Sequence, residues 1–318
     1  MNVESKRKLA VIAVGGNALI RKKGKESLPD QYAAACDAMQ HVASIIQAGW
    51  DVIITHGNGP QVGFILRRSE LTDHELFNIS LDFCGSDTQG SIGYMFQMAL
   101  INEFGRLGMK KQAVTVVTQT VVDKEDPAFS NPSKPIGSFM DEMAAAVHRN
   151  KDGWTVVEDA GRGWRRVVPS PAPIRIVQQD AIMTLAQAGF TVIGVGGGGI
   201  PVIENERGEL VGVEAVIDKD LASALLAYSI QADLFLISTE VEKVAVNFNK
   251  PNVQWLDSLT MAEVKKYMAE GQFGKGSMEP KIKAVLNYLE HGGKRALITN
   301  TENMLRALNG ETGTWIIS

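Results

Sequence analysis

An α/β fold, with a mostly parallel sheet covered by helices on both faces, is what this sequence predicts, and three observations carry the prediction. Short continuous apolar runs alternate with longer segments of helical periodicity. Three of those runs end in glycine-rich turns, Gly15 to Asn17, His56 to Pro60 and Gly196 to Gly199. The pattern continues along the chain without an internal repeat, a low-complexity tract or a linker between independent domains. With 318 residues, 45% of them hydrophobic, the chain can fill a sizeable core.

The elements follow in order. Residues 9–14 form a continuous apolar run, as expected of a parallel strand buried on both faces. Residues 31–48 place apolar side chains at helical spacing and stop at Gly49. A second strand over 52–55 leads through a glycine loop into a helix starting at Pro60. Helices are then expected over 87–107, 178–188 and 221–230, and strands over 113–118, 191–195 and 234–237. Between Pro280 and Ile317 the order is helix, strand, helix, strand. Residues 123–173 break the rhythm with proline, glycine and charge, and read as an inserted subdomain or lid within a single domain spanning 1–318, not as a sheet layer.

A net charge of -4 argues against a generally basic nucleic-acid or membrane-surface protein. Cys36 and Cys84 have neither metal-ligand spacing nor a disulfide framework, and read as reduced core thiols. The N-terminus imitates a signal peptide, but its apolar run is short and glycines interrupt it. No run is long enough to span a bilayer, so a soluble, cytoplasmic protein is expected, with no nucleic-acid or membrane partner.

Ligands of open α/β sheets bind beyond the carboxyl ends of the strands, where the three glycine turns converge. Glycine lets the backbone approach a ligand and present N–H groups, so the set points to a polyanion site. The run Gly194 to Gly199 formally satisfies a dinucleotide fingerprint, but a proline-marked segment with hairpin character follows it where a helix is needed. No Walker P-loop occurs. The first turn carries no basic residue, yet a helix N-terminus supplies only about half an elementary charge. A lysine at about 4 Å contributes on the order of 4 kcal/mol at an effective dielectric near 20, so the missing cations must come from elsewhere. Candidates are Lys219, between Asp218 and Asp220 at a helix start; Lys281, in a glycine-rich turn entering a helix; and Lys134, stiffened by Pro132 and Pro135 on the insertion. The competing reading of the first is a surface cap with Asp218 as N-cap and Lys219 in water. His56 reads as a structural histidine.

In order, the segments "VGGNAL", "THGNGPQVG", "TQGSIGY", "NPSKPIG", "EDAGRGWRRVVPSP", "GGGGIPV", "AVIDKDLAS", "KGSMEPK" and "GETGT" closely resemble the carbamate kinases of the amino acid kinase superfamily. The resemblance implies a homodimer of a three-layer α/β/α fold with a small protruding subdomain, using MgATP and carbamate, or carbamoyl phosphate and MgADP. It implies ATP formation from carbamoyl phosphate in arginine or purine catabolism. It maps the phosphate-site lysines onto Lys134, Lys219 and Lys281, with Lys134 replacing a lysine that other superfamily members carry at the position of Val14. Substrate and phosphate contacts fall on Gly15, Gly16, Asn17, Gly57, Asn58, Gly59, Gly197 and Gly198. Nucleotide contacts fall on Asp218, Val241, Val244, Phe248, Gly276, Ser277 and Met278. Mg2+ would be held mainly by phosphates and water, without a carboxylate cage. Ser238 and Glu240 depart from the family's usual residues and bear on nucleotide preference, while Glu279 adds an acid close to Lys281. The competing functions are a related kinase for another small carboxylate and a nucleotide-binding regulatory homologue without turnover.

Overall fold

The computed structural model describes residues 8–16, 19–20, 24–158 and 163–318. Among them, eight strands form the main sheet: β1 (Lys8–Val14), β2 (Trp50–His56), β3 (Ala113–Thr115), β4 (Thr191–Ile193), β5 (Leu234–Thr239), β6 (Ser258–Thr260), β7 (Arg295–Asn300) and β8 (Thr314–Ile317). Their spatial order is β6-β8-β7-β5-β1-β2-β4-β3, parallel except where β7 meets β8. The continuous apolar run of β1 follows from burial on both faces. Val11 and Ala13 enter one core beneath helices α4 (Lys219–Ser229) and α5 (Met278–Glu290). Ala10, Ile12 and Val14 enter the opposite core, beneath α1 (Leu28–Gln47) and α3 (Leu81–Arg106). Helices therefore cover both sides of the sheet, as the alternation required.

Several boundaries differ from the sequence reading, and strand β6 (Ser258–Thr260) was not expected. Helix α3 starts six residues earlier than the 87 expected, directly after an extended Ser80, with Gly85 in its second turn. Strand β3 ends at Thr115, three residues before the expected end, because the backbone N–H of Thr118 donates to the Gln89 side chain at 2.7 Å and leaves the sheet. The segment after the last glycine turn does form a hairpin, with Ile200–Glu204 antiparallel to Leu210–Gly212.

Residues 123–173 leave and rejoin the body through an antiparallel pair that sets Val122 opposite Pro173. Within that insertion, strands Lys134–Met140, Thr155–Glu158 and Trp164–Val168 form a small antiparallel sheet of their own, apart from the main sheet. It is anchored on helix α2 (Gly59–Leu71): Ile136 and Val168 share an apolar cluster with Val62 and Leu66. A side chain at Gly63 would meet the backbone of Gly137 at 3.0 Å, so the two elements approach as closely as glycine permits. No helix of the described residues is long and apolar enough to cross a membrane. Cys36 and Cys84 are free thiols, the first half-buried and the second buried.

Candidate functional site

The strand order places β2 and β5 on either side of β1, so chain connections diverge in both directions from that strand and open a crevice at its carboxyl end. The register aligns Val14 with His56, and Ala13 with Thr55 and Ile237, which brings the turns after β1, β2 and β5 to one level. Gly15 and Gly16 follow β1 there. A Cβ on Gly57 would lie 3.1 Å from the Gly16 nitrogen and 3.3 Å from Cδ of Lys219, so the first two turns and the Lys219 stem are in contact.

Helix α4 begins beside them. Asp218 is its N-cap, accepting from the N–H groups of Asp220 at 2.9 Å and Leu221 at 3.4 Å. The cap was expected on the bland reading, but Lys219 is not in water: its side chain is 14% exposed and its ammonium pairs with Asp220. Lys281, from α5, donates to the other Asp220 oxygen at 3.4 Å and to the Ser277 carbonyl at 3.3 Å. Lys134, from the insertion, donates to Asp218 at 2.8 Å. Three lysines far apart in the chain thus meet on two carboxylates of one helix turn. Glu279, expected near Lys281, pairs with Lys283 at 2.7 Å instead, one turn along the same helix.

Burial acts to raise the Asp218 carboxyl. The charge and hydrogen bond of Lys134, the charge of Lys219 and the Asp220 N–H outweigh it, and hold the group below the ordinary carboxylate range.

A cavity of about 290 Å³ opens at this point, walled by Gly15, Gly16, Lys219 and Lys281 together with Ser238 to Glu240 and Asn300 to Glu302. The last group was missed in the sequence. It stands at the end of β7, so the strand-end rule that located the glycine turns applied to it equally, but it lacks the glycines that drew attention to the others. Ser238 is 1% exposed and shares a 2.7 Å hydrogen bond with Thr301, tying the ends of β5 and β7 together.

A second, more apolar cavity of about 160 Å³ adjoins the first and shares Thr239 and Glu240 with it. Val241, Phe248, Ser277 and Met278, expected at a nucleotide, line it, with Trp255 set edge-on to Phe248. Val244 does not: it is fully buried in a short strand, its N–H donating to Thr314. Gly276 is exposed and stands outside this wall, and Asp218 is engaged with Lys134 and the helix cap.

The glycines after β4 lie deeper than a ligand-facing turn. Gly197 and Gly198 are buried with φ of 66° and 94°, and Cβ atoms there would fall 2.0 Å from the Asn58 amide and 2.8 Å from the Ile217 carbonyl oxygen. Protein packing by itself demands glycine at both. Asn58 is correspondingly buried, its amide donating to Thr88 at 2.8 Å. Gly59 opens helix α2, whose Asn58 cap makes no side-chain bond to the first turn. Asn17 lies outside the described residues, as do residues 159–162 of the insertion.

His56 is structural in the strict sense. Its Nδ1–H donates to the Gly57 carbonyl at 3.1 Å, and among the described residues Nε2 has no partner, lying against Gly196. Burial, reinforced by the nearby Lys219 charge and only partly opposed by the Gly57 bond, lowers its pKa to about 4 from 6.5, so the imidazole is neutral at pH 7. Between those values the unfolded chain binds a proton that the folded chain refuses. Stability is therefore complete above pH 6.5 and falls by about 3 kcal/mol as the pH drops to 4. Denaturant titrations at pH 7 and pH 4 should show this loss, and His56→Gln should shrink it; an undiminished acid limb in the variant would assign the lability to other groups.

Residues 8–300 match the model of the amino acid kinase family. The chain is 49% identical to the carbamate kinase of Thermococcus kodakarensis, over 98% of its own length and 99% of the relative's. It is 50% identical to the carbamate kinase-like protein YahI of Escherichia coli, over 98% and 99%. The structure of carbamate kinase from Giardia lamblia bound to AMP-PNP superposes with a TM-score of 0.92 at 40% identity, covering 98% of this chain and 99% of that one. With lysines converging on strand-end turns and relatives alike over their full length, this chain belongs to the amino acid kinase family, among its carbamate kinases, and is a phosphotransferase.

Proposed function

We propose that the chain catalyses reversible phosphoryl transfer between MgATP and carbamate, and that it runs toward ATP when supplied with carbamoyl phosphate in arginine or purine catabolism. The observation that carries the reading is the meeting of Lys219 and Lys281 on Asp220, in the wall of the cavity at the end of β1. A transferring phosphoryl group spreads its charge over three equatorial oxygens, and catalysis consists of positioning and charge compensation. Lys219 and Lys281 act on that charge, and Gly15 and Gly16 bring the backbone to the cavity wall beside the phosphates. Carbamate is already an anionic nucleophile, so a neutral, buried His56 has no base to replace. Lys134 completes the set from the insertion, which acts as a lid. The adenine occupies the apolar cavity beside Phe248 and Met278.

Asp218 and Asp220 are occupied by lysines, which supports a Mg2+ that arrives on the nucleotide and keeps phosphate and water ligands. A homodimer is supported by an apolar stripe on α3: Phe83, Tyr94 and Ile101 recur at three-turn and two-turn intervals on one face and are 64%, 63% and 48% exposed. Tyr94→Glu should convert the dimer to a 34.5 kDa monomer in sedimentation equilibrium; a wild-type protein that is already monomeric would end this part of the reading.

The deciding assay is ATP formation from carbamoyl phosphate and MgADP, with acetate and N-acetylglutamate as competing acceptors in the reverse direction. Turnover with a larger acid alone would exclude carbamate. Nucleotide binding without consumption of carbamoyl phosphate would make the chain a regulatory homologue.

A further inference from the structure

Helix α2 links the glycine turn at the end of β2 to the insertion. It opens at Gly59, and one turn later Gly63 lies buried against the strand Lys134–Met140. A Cβ on Gly63 would stand 3.0 Å from the Gly137 Cα and 3.2 Å from its nitrogen. Both are backbone atoms, which cannot rotate aside as the tip of a side chain can. Glycine is a poor residue for a helix interior, and alanine the best, so a buried glycine within α2 needs a reason outside the helix. The approach of the insertion supplies it.

The other side of the contact is equally fixed. Gly137 has a φ of 69°, its carbonyl accepts from Arg165 at 3.2 Å, and the pairing with Trp164–Val168 is interrupted after Ile136. Ile136 and Val168 pack with Val62 and Leu66, so the strand is clamped to α2 around the glycine contact. Lys134 stands three residues before Gly137 on the same strand, opposite Val168. Its ammonium donates to Asp218 at 2.8 Å, inside the limit of about 3.2 Å for a good N–H···O bond. The placement of Lys134 over the site therefore depends on how closely this strand lies on α2.

We infer that Gly63 is a positioning residue for Lys134: its missing side chain sets the distance between the insertion and α2, and with it the point at which the lysine meets the site. The inference rests on the role proposed for Lys134 and deepens it. A misplacement of about 1 Å at a reacting centre can cost on the order of 100-fold in rate, so the smaller push of one methyl against a backbone corresponds to roughly 10-fold.

Steady-state ATP formation from carbamoyl phosphate and MgADP in the wild type, Gly63→Ala, Lys134→Ala and the double variant tests it. Gly63→Ala should lower kcat roughly 10-fold and leave KM for MgADP level, because neither cavity proposed for the nucleotide takes a described residue from α2 or the insertion. In the Lys134→Ala background the same methyl should cost less than about 2-fold, since the group it displaces is already gone. Ile136→Val, which trims the clamp without a clash, should show the same dependence on Lys134 at smaller size, and keeps the test open if Gly63→Ala folds poorly. An equal loss in both backgrounds would show that Gly63 serves only the fold and would overturn the inference, as would an unchanged kcat in Gly63→Ala. A crystal structure of Gly63→Ala reads the displacement without turnover: Lys134 should lie beyond hydrogen-bond range of Asp218, and an ammonium still in place would overturn the inference. Near-normal kcat in Lys134→Ala would remove the role proposed for that lysine and the inference with it. Absence of turnover in the wild type would overturn the proposed function, and the crystal structure would still decide the contact.

Discussion

Replacing Lys219 or Lys281 by alanine is expected to lower turnover by roughly 100-fold or more, the loss associated with one preorganised transition-state donor. Both ammonium groups are held in the wall of the cavity at the end of β1 with side chains only 14% and 18% exposed, so water replaces them poorly. The effect should fall on kcat more than on KM, because the charge they offset is greatest during transfer. Lys134→Ala should act similarly through its place beside Asp218. Steady-state ATP formation from carbamoyl phosphate checks all three, and near-normal kcat after either core substitution would remove that lysine from the chemistry.

The second large effect belongs to a residue that bears no positive charge. Asp220 is 5% exposed and receives both Lys219 and Lys281, so Asp220→Ala leaves two poorly solvated ammonium groups facing each other. Destabilisation of about 3 kcal/mol is expected, which for a chain of this size lowers Tm by roughly 5 °C. The kinetic signs should oppose one another. The site becomes more cationic, so KM for MgADP stays level or falls, while the lysines lose their fixed geometry and kcat falls roughly 10-fold or more. A raised KM with unchanged kcat would mean that Asp220 acts on ground-state binding alone. Asp220→Asn, which keeps the shape, separates the charge from the packing.

Much of this arrangement was legible in the residues. Continuous apolar runs identified the strands of a doubly covered sheet, because such a strand has no solvated face to alternate toward. Glycines at their ends located the carboxyl edge, and Asp218 marked the start of α4. The rest was hidden for identifiable reasons. Asn300 to Glu302 line the cavity at the end of β1 without any glycine to signal a close approach. Val244 looked like a wall of the base pocket by its position in the chain, but strand geometry turns it into the core, away from Ala245 and its neighbours on the cavity side. Gly197 and Gly198 were read as ligand-facing, whereas their Cβ positions are already filled by Asn58 and Ile217.

Pattern and composition alone determined the α/β class, most of the strands of the main sheet, the glycine turns at their ends and the lysines able to offset a phosphate's charge. Only the folded chain decided which acids those lysines meet. Lys281 reaches an aspartate 61 residues away while passing over Glu279 in its own helix, and Lys134 crosses 84 residues to a helix cap. The physical reason is that periodicity records how each segment divides its surface between core and water, a local property. The pairing of buried charges depends on which strand ends the sheet order sets side by side, and that information is carried by no segment on its own.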